Sequence, residues 1–360
     1  MDTNVEPFKV GFLDEGIFAD DAQFDQRVRE VIRFRFDEAY ESGEVDRPID
    51  LIVSRGRGLP HGTAKAVCDA WRELADAGVL VIIGPGITDN CIAVVPLFES
   101  RRIPTINFPG TTLSRGQYGF HYQIGSLYDD GPLIARAMAR RDLGSVAVIR
   151  DRSPIGAEFF EYFEEECERS GLTIVKDVKC SPVATDMTTE ARDAAASKPD
   201  ALVYLGFGAV LLDLSRALTA LGWDPPRFTT SAGMHFHSKP DDERREMSGW
   251  VYVDQVDEQN TALSGLLDRF EARHGRRPFD VLTGGMYDMA TLAVLGIRNA
   301  PVHTPEGVTS GLERINQEPA VLGGARTVQG FGPWERTALK GPDYLFLREM
   351  RGVESLRYDG

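Results

Sequence analysis

Two short segments carry groups able to hold a small molecule. Ile87-Thr88-Asp89-Asn90 follows Gly84-Pro85-Gly86, and Gly110-Thr111-Thr112 follows Pro109. Together they offer backbone N–H groups, three threonines and an asparagine, with no nucleophile set beside a base. Such groups receive a carboxylate or an amide, as helix N-termini do, and do not make or break bonds. Thr111 and Thr112 leave two readings open, since each hydroxyl could cap its own turn or touch a ligand. Other candidates carry less. Gly206-Phe207-Gly208 has two glycines of a dinucleotide fingerprint, but Leu211 stands where the third belongs, so it reads as a tight strand-to-helix turn. His235, His237 and Asp241 supply too few ligands for zinc, so no metal and no cofactor is expected. There is no GxxxxGK[ST], GxSxG or HExxH.

The elements that must position these segments alternate. FKVGFLD is a strand, residues 21–42 an amphipathic helix with Val28, Val31, Ile32, Phe34, Phe36 and Ala39 on one stripe, and IDLIVSRGRG a strand. Residues 63–77 form a helix stopped by Gly78, and VLVIIG is a short β-branched strand buried on both faces. Thr88 or Asp89 can cap the next helix, which ends near residues 101–102 before the strand IPTINF. The two polar segments therefore follow consecutive strands of a parallel sheet, the edge at which open sheets bind ligands. YGFHYQIG closes this first series.

A second series follows from residue 125. Its helices are expected at residues 129–141, 154–170, 188–197 and 210–221, and its strands at SVAVIRD, LTIVKDVKC, DALVYLGFG, RFTTSAG and GWVYVDQV. Phe159 to Phe163 read as core. The tail turns helical over residues 261–274, 279–299 and 304–316, and the remainder reads as β-hairpins. The fold class is α/β, with right-handed crossovers and parallel sheets.

The 360 residues suffice for two domains. A formal net charge of -15 disfavours nucleic acid and anionic membranes, and no apolar run is long enough to span a bilayer. The first ten residues lack the form of a secretory signal, so the sequence as it stands reads as cytoplasmic, or as extracytoplasmic with a leader removed. Cys68, Cys91, Cys167 and Cys180 show no zinc or redox spacing and read as buried free thiols, which favours a reducing compartment.

KVGFLDEG, VIIGPGITDNCIAVVPLFESRRIPTINFPGTT, YLGFGAVLLDLSRALTALGW, MYDMATLAVLGI and GFGPWERTALKGPDYLFL, in that order, resemble the type I periplasmic binding proteins. The branch is that of leucine/isoleucine/valine-binding proteins and the cytoplasmic amide sensor, and the resemblance covers nearly the whole chain. It implies two Rossmann-like lobes joined by three crossover segments, residues 1–125 with 255–328 and residues 126–254 with 329–360, and a ligand in the cleft between them. It implies that Ile87, Thr88, Asp89, Asn90, Gly110, Thr111 and Thr112 form the carboxylate-binding turns. Ser153, Pro154 and Ile155, Phe207 and Gly208, and Gly233, Met234 and His235 would line the opposite wall, with Phe18 on the first loop. The acid that pairs a ligand ammonium in amino-acid binders belongs near Met234 or His235, and neither is acidic. A buried ammonium without a carboxylate is costly, so the expected ligand is neutral or acidic with an apolar or aromatic body. The expected protein is not an enzyme but a solute receptor of an ABC importer that meets a permease. The alternatives are a cytoplasmic sensor with a regulatory protein partner and, less favoured, a nucleotide-using α/β enzyme.

Overall fold

Short runs of β-branched residues become strands where helices can cover both faces, and this rule shapes the whole chain. The computed structural model describes residues 5–16, 22–109 and 111–359, without the side chains of residues 22–25, 235 and 238. In chain order the first series is β1 (Phe8–Asp14), α1 (Ala22–Glu41), β2 (Ile49–Arg55), α2 (Ala64–Asp76), β3 (Val81–Ile83), α3 (Thr88–Arg101), β4 (Thr105–Asn107) and β5 (Gly119–His121). The second is α4 (Asp130–Arg140), β6 (Ser145–Asp151), α5 (Pro154–Ser170), β7 (Thr173–Cys180), α6 (Thr188–Ala196), β8 (Ala201–Leu205), α7 (Leu211–Leu221), β9 (Arg227–Thr229), α8 (Asp241–Glu246) and β10 (Trp250–Asp254). Then come α9 (Thr261–His274), α10 (Val281–Arg298), α11 (Pro305–Leu312), and the short strands β11 (Glu318–Pro319), β12 (Val328–Gln329), β13 (Leu339–Lys340), β14 (Phe346–Arg351) and β15 (Glu354–Arg357).

Two compact units result, Met1–Ile124 with Val256–Tyr344 and Gly125–Gln255 with Leu345–Gly360. The chain passes between them three times. The passage expected at residues 328–329 falls on β12, which pairs antiparallel with both β11 and β13 in a small sheet of the first unit; the structure puts the last passage after Tyr344.

The first unit holds a parallel sheet of order β2-β1-β3-β4-β5. Trp71 and Leu74 of α2 and Val94 and Phe98 of α3 pack with Leu13 and Ile82. α1 and α10 pack on each other, and α10 is apolar all round because it is buried along nearly its whole length. The second unit's sheet runs β15-β14-β10-β9-β8-β6-β7, parallel except where β14 and β15 join antiparallel. Phe159 and Phe163 of α5 lie in its core with Val146, Val148 and Val203. Ser153 caps α5, and Gly171 ends it with φ +74, a conformation that a side chain would strain. Where RFTTSAG was expected to stay extended, β9 stops at Thr229. The hydroxyl of Thr230 then accepts from Ala232 N and opens a 3-10 segment, Ser231–Ser238.

Candidate functional site

Leaving out β14 and β15, both sheets have the same winding, since β7-β6-β8-β9-β10 repeats β2-β1-β3-β4-β5. In such a sheet the first and third strands are neighbours whose connections leave in opposite directions. The crevice outside their carboxyl ends is where ligands bind. In the first unit that crevice lies between the end of β1 and the turn after β3. In the second it lies between the end of β6 and the turn after β8.

The first crevice is organised by Glu15, a residue the sequence reading did not single out. One carboxylate oxygen accepts from Ile87 N at 2.9 Å and from Gly86 N, and the other accepts from the Asn90 amide. Neither Thr88 nor Asp89 caps α3, contrary to expectation. The N-cap position is Ile87, with no side-chain cap; Glu15, just after β1, instead receives the N–H groups of Gly86 and Ile87, which precede the helix. Glu15 is buried, and burial pushes its carboxyl up to about 7 against the pull of these donors. Asn90 is turned inward, its amide also donating to Leu59 O at 3.2 Å and accepting from Leu59 N at 3.0 Å.

The turns after β3 and β4 are stitched side by side, Gly84 N donating to Ile106 O at 2.8 Å and Phe108 N to Pro85 O at 3.2 Å. Two buried polar side chains here have no hydrogen-bond partner among the described residues: the Thr88 hydroxyl, and both the oxygen and the nitrogen of Asn107. Buried polar groups are nearly always satisfied, so water or another molecule is the partner these two call for. Asn107 was also missed by sequence reading, although a polar residue closing the apolar run IPTINF was its signal. Ile87 is buried and Asp89 half-buried. Thr111 is buried and caps the 3-10 turn Thr112–Ser114 by accepting from Leu113 N at 3.1 Å, whereas Thr112 is exposed. Phe18 and Gly110 lie outside the described residues.

In the second crevice Asp151, at the end of β6, plays the part that Glu15 plays in the first. It accepts from Tyr204 OH at 2.7 Å and from Phe207 N at 2.8 Å, and burial raises its carboxyl. Gly208 N donates to Tyr204 OH at 3.2 Å. A Cβ on Gly206 would stand 2.3 Å from Asp151 Oδ2, and Gly208 has φ +96, so the two glycines serve the carboxylate and the turn rather than a dinucleotide. Ser153 accepts from Gly156 N at 3.2 Å, and exposed Pro154 opens α5 beside it. The structure thus groups Ser153 and Pro154 with Phe207 and Gly208. Ala232, 2.8 Å from a Cβ built on Gly208, brings in the segment that holds buried Met234. The side chain of His235 lies outside the described residues. Asp130 fixes that segment's start, accepting from Ser231 N at 2.7 Å and Ser126 N at 2.9 Å, and burial pushes its carboxyl up to about 7.

Little else offers chemistry. His237 is held by Asp254 at 2.9 Å and Tyr252 OH at 3.1 Å rather than by Asp241, and no group of three metal-ligating side chains occurs among the described residues. The four cysteines are free, and burial pushes the Cys167 and Cys180 thiols to about 12, far from thiolate chemistry. A groove of about 920 Å³ on the first unit is lined by Arg35, Glu38, Glu44, Arg269 and Tyr287. These side chains are joined to one another, Arg269 to Glu38 and Arg35 to Glu44, so the groove reads as a solvated ion-pair network. Among the described residues no helix is long and apolar enough to cross a membrane.

A family model described as periplasmic binding protein matches residues 8–336. No curated protein matches the sequence. Among solved structures, a type 1 periplasmic binding protein from Bordetella pertussis Tohama I superposes with a TM-score of 0.82 at 15% identity, over 98% of this chain and 100% of the other. The branched-chain amino acid transporter substrate-binding protein LivJ of Streptococcus pneumoniae, in complex with isoleucine, gives 0.79 at 16%, over 97% and 98%. The leucine-binding protein LivK of Thermotoga maritima gives 0.79 at 15%, over 98% and 97%. The fold is that of type I periplasmic binding proteins.

Proposed function

We propose, on the premise that this chain belongs to the periplasmic binding protein family, that it binds a small organic ligand and leaves it unchanged. The ligand is neutral or acidic with an apolar or aromatic body, held at the carboxyl-end crevices of the two units. The candidate contacts are Thr88, Asn107, Thr111 and Thr112 in the first unit, and Ser153, Pro154, Phe207, Gly208, Met234 and His235 in the second. The observation that carries this reading is the pair of buried, unpartnered polar side chains, Thr88 and Asn107, at the first crevice. The absence of a nucleophile–base pair in the two turns supports binding rather than catalysis.

The structures in complex with isoleucine or named for leucine make a branched-chain amino acid the obvious rival. Against it stands the second crevice, whose carboxylates Asp151 and Asp130 are buried and already accept from the chain's own donors. Both are engaged in holding the fold, so neither is set aside to pair a ligand ammonium. The role that fits is solute receptor of an ABC importer, with the permease as protein partner. Four free thiols favour a second reading, a cytoplasmic sensor of the same ligand class.

Thermal-shift titration against leucine, isoleucine, small amides, aromatic acids and nucleotides tests the proposal. The expected result is a saturable rise in midpoint with an amide or an acid and none with nucleotides. Tight leucine binding alone sinks the ligand assignment, and a nucleotide-only shift sinks the binding-protein reading. Loss of uptake of the bound compound on gene deletion separates receptor from sensor.

A further inference from the structure

The N-terminal end of α3 is the place in the first unit best suited to a ligand carboxylate. There N–H groups converge and the helix dipole favours negative charge. The chain has put a carboxylate of its own there. Glu15 accepts from Gly86 N, Ile87 N and the Asn90 amide. It is 4% exposed. The N–H groups of Thr88, Asp89 and Asn90 still lie ahead of the first intrahelical bond, which runs from Cys91 N to Ile87 O. A ligand reaching them would stand one residue from the oxygen that Ile87 holds. The preceding residue, Asp14, adds a second buried acid; Arg29 and Arg55 face it at 3.6 and 3.9 Å.

We propose that Glu15 is a built-in carboxylate that sets the ligand class, excluding ligand carboxylates from the α3 terminus and selecting a neutral head group that both donates and accepts hydrogen bonds. This rests on the binding function proposed above and deepens it. Two observations besides the helix end carry it. Thr88 and Asn107, both buried and without a hydrogen-bond partner among the described residues, offer a hydroxyl and an amide, each able to donate and to accept. Among the described residues no cation bonds Glu15, so once it is ionised a second anion close by would meet an unneutralised like charge in a dry site. Burial, which already holds the Glu15 carboxyl at about 7, would make that repulsion stronger.

The test separates this claim from the function it rests on, because its first arm needs no organic ligand. Thermal midpoints of wild type, E15A and E15Q are compared in sodium formate, sodium chloride and formamide at matched ionic strength, above neutral pH. E15A is expected to melt about 5 °C below wild type in chloride. Formate should restore at least half of that loss by occupying the emptied cradle, and formamide should not. Wild type and E15Q, whose side chains fill the cradle, should not respond to formate. Formate acting no better than chloride on E15A, or acting equally on wild type, overturns the proposal. If E15A is unfolded in chloride, folded protein recovered only in formate supports it and failure in both salts overturns it. The second arm measures wild type and E15Q against benzoate and benzamide. Wild type should prefer the amide at least tenfold, and E15Q should narrow that ratio; a wild-type preference for the acid overturns the selection. Formate rescue without binding of either compound keeps the built-in carboxylate and counts against the ligand class.

Discussion

The two units meet the same problem at the same place in the same winding and solve it differently. In each, an acid at the end of the first strand reaches over to the turn after the third, Glu15 to Gly86 and Ile87 in one, Asp151 to Phe207 in the other. In the second unit the network closes on itself: Tyr204 donates to Asp151 and accepts from Gly208, and Ser153 caps its own helix. In the first unit it stays open, with Thr88 at the start of α3 and Asn107 at the end of β4 buried and without a hydrogen-bond partner among the described residues. A saturated network stabilises the fold, whereas an open one reserves polar groups for something else. On the function proposed above, the first crevice is the one with polar groups left for a ligand.

The sharpest way to break this contrast is D151A. It leaves Tyr204 OH and Phe207 N buried without an acceptor, so unfolding free energy should drop by about 4 kcal/mol, read from urea titration. An unchanged midpoint would mean that the second crevice is not a closed network.

Next in size is a pH effect. Burial raises Glu15 to about 7 from 4.5 and Asp130 to about 7 from 3.8. Both folded-state values lie above the unfolded ones, so the folded chain binds more protons and these groups favour folding most at low pH. Their contribution falls as pH rises through the window from about 4 to 7, by up to about 3 kcal/mol for Glu15 and about 4 kcal/mol for Asp130. E15Q and D130N should each flatten that part of the stability–pH curve, one from each unit. A slope unchanged in both variants contradicts the burial assigned to them.

The pair T88V and N107L should invert the D151A result. Removing unpartnered buried polar atoms should leave stability unchanged or about 1 kcal/mol higher, while affinity for the compound found by thermal shift weakens about 30-fold, or 2 kcal/mol. Calorimetry and urea titration on the same samples read both. The smallest expected effect is S153A, about 1 kcal/mol of stability through loss of the α5 cap.

Much of this architecture could be read directly from residues. FKVGFLD and SVAVIRD are strands over their full length, and α5 and α9 begin and end where expected. Ser153 and Asn260 cap their first turns and glycines follow their last, so local chemistry sets these limits. β3 and β4 came out shorter than their apolar runs suggest, because Gly84-Pro85-Gly86 and Phe108-Pro109 turn away to build the rim. The carboxyl edge of the sheet was legible in the same way, since it is marked by polar residues just after buried strands. Its wiring was not. Glu15 meets Ile87 across 72 residues of chain, and Asp151 meets Phe207 across 56. Nothing in a local pattern says which acid will take the N–H groups of a distant turn. The capping assigned to Thr88 or Asp89 failed for a local reason, since the helix opens one residue earlier, with Ile87 at the cap position.

Hydrogen exchange, with and without the compound found by thermal shift, tests the central claim most directly. Protection is predicted at residues 84–90 and 106–112 in the first unit and at residues 151–156 and 206–211 in the second. Protection confined to the charged groove around Arg35 and Arg269, with both crevices exchanging as before, would contradict it.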